Sequence, residues 1–145
     1  MIITEQVYNL ARFTEAHKES FQIALSEIKN GRKESHWMWY IFPQIKELGH
    51  SRTAIYYGIK DLNEAKAFLQ DEYLGGNLIE ISDALLNLED DNPVKIFGDI
   101  DSKKLKSCMT LFAAISEDDS VFRKVLEKFY NGDVDVVTLK TLNLI

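Results

Sequence analysis

Cysteine is nearly absent from this chain. Cys108 stands alone among 145 residues, so no internal disulfide can form. That fits a reducing compartment, and a cytoplasmic setting is expected. Histidine is scarce too, with three residues, and one cysteine beside three histidines leaves too few ligands for a structural zinc site. No apolar run approaches the length that spans a bilayer, so no membrane association is expected. The N-terminal MIITEQVYNLARF has no basic stretch followed by an apolar one, and no signal peptide is expected. Pro43 and Pro93 are the only prolines, and no Pro/Gly/Ser linker, repeat or low-complexity tract interrupts the chain. A Gly-rich phosphate loop, a G-x-S-x-G elbow and an H-E-x-x-H helix are all missing, and no cofactor is expected. The net charge of -6 repels phosphate backbones, so general nucleic-acid binding is not expected either.

What is present is an ordinary globular balance, 46% hydrophobic and 28% charged, at the size of one domain. Helical spacing dominates. Leu10, Phe13, His17, Phe21, Ala24, Leu25 and Ile28 predict a long helix from about Glu5 to Asn30, stopped by Asn30-Gly31. Residues 32–51 read as irregular: a short helical turn begun by Ser35, then an extended run into Pro43. Ser51 is placed to cap a short helix through Tyr57.

Asp61 caps a helix to about Gln70, and Asn77 to Leu88 forms the next. Asn92 through Asp99 reads as a connector. Asp101 caps a helix from Ser102 to Ile115, Asp118 or Asp119 opens one to Tyr130, and Asp135 starts a short last helix. No run alternates cleanly enough for a strand. The expectation is a single compact all-α domain, residues 1–145, of about six or seven helices. Its predicted core is Leu10, Phe13, Phe21, Leu25, Trp39, Phe42, Leu62, Phe68, Leu85, Leu105, Met109, Phe112, Leu126 and Phe129.

Charge is uneven. Residues 29–52 carry five bases against two acids, and residues 102–116 carry Lys103, Lys104 and Lys106 with no acid, so the remainder is strongly acidic. Two basic islands in an acidic chain read either as solvated surface or as an anion site. Lys103 and Lys104 fall in the first turn of the helix as read here, where cations oppose the helix dipole. With free backbone N–H groups and Ser107 one turn on, they are candidates to hold a phosphate.

The first island is richer: Arg32, Lys33, Ser35, His36, Trp37, Trp39, Tyr40, Phe42 and Gln44. Trp37 and Trp39 offer faces for stacking a ring, or else they fill the core. His36 is a candidate for proton transfer, with Asp101 as the other. Gln44 and Ser51 complete the candidate binding set. His17 reads as a satisfied boundary histidine, His50 as solvated, and Cys108 as structural.

Three runs carry a resemblance: GRKESHWMWYIFPQIKELGHS, then Ala65 to Leu69 with Tyr73-Leu74-Gly75, then IFGDIDSKKLKSCMTLF. The chain resembles the bacterial domain-of-unknown-function family often mislabelled "calpastatin". Its hallmarks are S-H-W-M-W, I-F-P-Q and L-G-x-S, followed by a later block onto which Gly98, Asp101, Lys104, Ser107, Met109 and Thr110 match. Two positions depart: Cys108 stands where a small residue such as Ser is common, and Tyr57-Gly58 where the family often has Tyr-Ala. The resemblance implies an all-helical single domain and no settled activity. A calpastatin-like inhibitor would be disordered, and this chain is not. The later block is also similar to families that handle ADP-ribose-type compounds. Two functions are therefore in play. One is a small domain that binds or processes a phosphate-bearing molecule such as a nucleotide or ADP-ribose derivative, with the two islands facing each other across a pocket. The other is a protein-interaction module that uses the Trp-rich segment. Neither the oligomeric state nor enzyme status is legible.

Overall fold

The computed structural model describes residues 8–145. Nine α-helices are present among them: α1 Ala11–Lys29, α2 Met38–Ile41, α3 Arg52–Tyr57, α4 Leu62–Gln70, α5 Glu72–Leu86, α6 Pro93–Phe97, α7 Asp99–Ala114, α8 Val121–Tyr130 and α9 Val136–Thr141. That exceeds the expected six or seven. The excess is short helices in the Trp-rich run and the Pro93 connector, both read from sequence as irregular. The described residues contain no strand, only one isolated bridge between Ile45 and Ile59.

α1 starts at Ala11, later than expected, and the first part of the predicted helix lies outside the described residues. Its stripe of Phe13, His17, Phe21, Ala24, Leu25 and Ile28 is buried, and α1 packs on α5 and α2. Gly31 ends it with a φ of 79°, the left-handed region that favours glycine. α5 begins five residues earlier than expected, because Asp71 caps it by accepting from the Tyr73 and Leu74 N–H groups. A Cβ on Gly75 would lie 1.9 Å from the Leu69 carbonyl oxygen, so glycine permits the close approach of α4 and α5.

Two cations tie elements together. Arg12 pairs with Glu64 at 3.0 Å with both side chains almost fully buried, joining α1 to α4. The Lys128 ammonium, on α8, donates to the carbonyls of Leu85, Leu86 and Leu88 and so satisfies the C-terminal end of α5.

α7 is the central element, packed on α6, α8 and α9. It starts at Asp99 rather than Ser102. Gly98 (φ 84°) holds the cap position without a side-chain cap, and Asp99 and Asp101 occupy the first turn. Asp101 is therefore not the cap, and Lys103 and Lys104 lie beyond the first turn. The expected clash between lysines and helix dipole disappears, because acids stand where the dipole favours them. Of the predicted core, eleven side chains are buried, while Leu10 and Leu62 are partly buried against it. Trp39 is half-buried, and Trp37 takes the core position instead, 1% exposed.

Candidate functional site

The segment after α1 is shaped by one carboxylate. Glu27 accepts from the Glu34 N–H at 2.8 Å, the Ser35 N–H at 2.9 Å, the Ser35 hydroxyl at 2.5 Å and the Trp37 indole N–H at 2.9 Å. Desolvation pushes this carboxyl up, but the bonds from Ser35, Glu34 and Trp37 outweigh it and bring it down to about 2. Ser35 therefore starts no helical turn, since its hydroxyl faces Glu27. Sequence reasoning missed Glu27. Its signal was an acid in the last turn of a helix, where the dipole disfavours one unless other donors hold it.

The Trp37 ring, drawn inward by its bond to Glu27, packs against Phe42 and Phe97. It is core and cannot stack a ligand. Lys33 anchors the segment to α6 through its N–H, which donates to the Ile96 carbonyl at 2.8 Å. Its ammonium lies 2.6 Å from the Ser35 carbonyl and 2.9 Å from Asp101 Oδ2, with the Lys33 side chain only 8% exposed. Lys104 reaches the other oxygen of Asp101 at 3.7 Å and lies 5.1 Å from the centre of the Trp39 ring. Asp101 is thus a bridge between one lysine from each basic island.

Two hollows flank Trp39. On one side is an open cleft of about 420 Å³, lined by Lys33, His36, Trp39, Phe97, Asp99 and Asp101 among others. On the other is a narrow slot of about 10 Å³, lined in part by Trp39, Gln44 and Lys104, with room for about one water. The His36 ring is exposed and makes no hydrogen bond among the described residues, while its carbonyl accepts from the Tyr40 hydroxyl.

The structure thus brings together Lys33, His36, Trp39 and Asp101 at the cleft, with Lys104 and Gln44 on the slot side. Arg32 is exposed beside Lys33 in the chain. Two other candidates are committed elsewhere. Ser51 caps α3, accepting from the Ala54 N–H at 3.1 Å. Ser107 is buried and donates to Asp135 Oδ2 at 2.6 Å, which helps hold α9 onto α7. Of the residues set aside, His17 is buried. Its Nε2–H donates to the Tyr40 carbonyl at 2.8 Å, so its Nδ1 accepts from the Asn77 amide at 3.1 Å. Cys108 is fully buried, and burial pushes its thiol well up, away from reactivity. No group of three or more His, Cys, Asp or Glu is placed to hold a metal among the described residues. None of the described helices is long and apolar enough to cross a membrane.

Fold and cleft define a small all-helical domain with an open cleft beside Trp39. The chain belongs to the family described as "Protein of unknown function (DUF1810)", whose model matches residues 7–142. It is similar to the conserved hypothetical protein Rv1873 from Mycobacterium tuberculosis. The TM-score is 0.91 at 38% identity, over 95% of this chain and 99% of that one. Comparison with curated proteins finds no match.

Proposed function

We propose that the cleft between residues 33–39 and the start of α7 binds a small molecule carrying a phosphate and a flat ring, a nucleotide or an ADP-ribose derivative. The observation that carries this reading is the convergence of Lys33 and Lys104 on Asp101 against Trp39. Lys33 in the cleft, Trp39 as its wall and Lys104 behind that wall on the slot side suit an anionic group attached to a ring. Exposed His36 and the Asp101 carboxylate are the groups for moving a proton, should the ligand also be processed. The other reading, a protein-interaction module built on the Trp-rich segment, needs those rings at the surface. Trp37 and Phe42 are core, and Trp39 and Tyr40 are half-buried.

The test is a thermal-shift series with adenosine, AMP and ADP-ribose, followed by calorimetry. A ligand that binds only the native state raises the melting temperature. AMP and ADP-ribose should raise it and adenosine should not, and the gain should shrink with added salt. Equal, absent shifts for all three compounds would sink the reading.

A further inference from the structure

We infer that Glu27, which lines neither hollow, is the positioning residue of the cleft: it sets the place of the Lys33 ammonium through Ser35. The inference rests on the cleft reading above. Its basis is a continuous run of contacts across the fold. Glu27, near the end of α1, holds Ser35 by both backbone N–H and hydroxyl. The carbonyl of that same Ser35 accepts from Lys33 Nζ at 2.6 Å, and Lys33 Nζ pairs with Asp101 at 2.9 Å. Asp101 in turn takes Lys104, which lies over Trp39.

A lysine ammonium is a point charge on a long stem with several rotatable bonds, and left alone it samples many positions. Two fixed acceptors, a carbonyl and a carboxylate, restrict Lys33 to one. Only the carboxylate belongs to α7. The carbonyl is fixed because the peptide on either side of Ser35 is clamped: the Ser35 N–H by Glu27 on one side, and the Trp37 indole by the same carboxylate two residues on. Without Glu27, four donors lose their acceptor at once, and the Ser35 carbonyl loses its fixed direction. Lys33 then keeps Asp101 alone. An incoming phosphate would have to order the lysine as well as bind it, and that ordering lowers affinity.

The experiment compares wild type with Glu27→Gln and Ser35→Ala. Glu27→Gln keeps the shape, removes the charge and places an NH₂ among donors. Ser35→Ala deletes only the hydroxyl bond and spares the carbonyl. Two quantities are read. The first is the ¹H–¹⁵N signal of the Lys33 ammonium, visible when exchange with water is slow, as its burial in an ion pair favours. The second is the calorimetric affinity for AMP.

Expected are loss of the Lys33 signal and a fall of about tenfold in AMP affinity for Glu27→Gln, with amide signals of α5 and α8 unchanged. Ser35→Ala should show a smaller change of the same sign, and Glu27→Asp should restore part of the signal. A folded Glu27→Gln that keeps both signal and affinity overturns the inference. If Glu27→Gln does not fold, Ser35→Ala decides, and an unaltered Lys33 signal there overturns it as well. If wild type does not bind AMP, the cleft reading fails, and the ammonium signal alone still judges whether Glu27 places Lys33.

Discussion

Around Phe112 the chain is held by apolar contact, whereas around Asp101 it is held by charge. Phe112 has no exposed surface, with the Phe68 and Phe122 ring centres each 5.7 Å away and Leu105, Met109 and Leu126 buried in the same cluster. About three turns earlier on the same helix, none of the contacts that matter is apolar-to-apolar. Asp101 meets two ammonium groups, each resting near an indole ring. The apolar region gains stability from every neighbour at once and has no alternative arrangement of comparable density. The charged region sets two ammonium groups against one carboxylate, contacts that the proposed ligand would share. One helix therefore carries a rigid anchor near its end and a charged cluster at its start, the two things the proposed binding site needs.

The sharpest way to break the comparison is at the anchor. Phe112→Ala removes a ring from a fully enclosed position and should cost about 3–5 kcal/mol, the range for a large aromatic deleted from a core. Urea denaturation measures it. A loss under about 1 kcal/mol would mean that neighbours collapse into the space and that this region is no more rigid than the cleft.

Acid should separate the two regions next. Glu27 is held at about 2 in the fold against an ordinary 4.5, so its contribution is full above 4.5 and is lost as pH falls towards 2. His17 has the opposite charge type and the same sign of effect. Burial, opposed by the Tyr40 carbonyl and Asp71, lowers it below its ordinary 6.5. The unfolded chain therefore takes up a proton below 6.5 that the folded chain resists, and stability falls from there downward. Stability measured against pH should decline in two stages. Glu27→Gln should flatten the stage below 4.5 and leave the His17 stage in place. A single unaltered decline in that variant would mean the Glu27 bonds are not formed in solution.

The same division explains what could be read from the amino-acid order. Periodicity located Phe13, Phe21, Phe68, Leu105, Met109 and Phe112, because a buried stripe repeats with the helix and needs no knowledge of what lies opposite. Caps were equally local: Ser51 and Asp61 bind an N–H three residues ahead. The site was half legible. The two basic islands stood out against an acidic chain, yet which lysine meets which acid depends on how α1, α6 and α7 pack, and no local pattern records that. Trp37 and Trp39 illustrate the limit. Two residues apart with identical side chains, they differ because one indole N–H reaches Glu27, ten residues earlier in the chain, and the other does not. Ser107 was misplaced for a related reason: its partner, Asp135, is 28 residues further on.

The smallest expected effect is at Lys104, and it bears most directly on the charged region. Its ammonium is 3.7 Å from Asp101, at the long end for an ion pair, and its side chain is 26% exposed. Pairs of this kind contribute under about 1 kcal/mol, so Lys104→Ala should leave the melting temperature nearly unchanged. Asp101 keeps Lys33 in the variant and is not left as a lone charge. Binding should behave differently, because a phosphate in the cleft loses the charge of the lysine that lies behind Trp39 and pairs with Asp101. AMP affinity should therefore fall, and the salt dependence of binding should become shallower, as one fewer charge takes part. Lys33→Ala is the natural comparison: its side chain is almost fully buried, and removing it strands the Ser35 carbonyl and half of Asp101. That variant should lose both stability and affinity. The contrast between the lysines is the informative quantity. If Lys104→Ala costs stability and leaves AMP binding intact, then Lys104 is structural, its place over Trp39 is packing, and the cleft would have to bind anions through Lys33 alone.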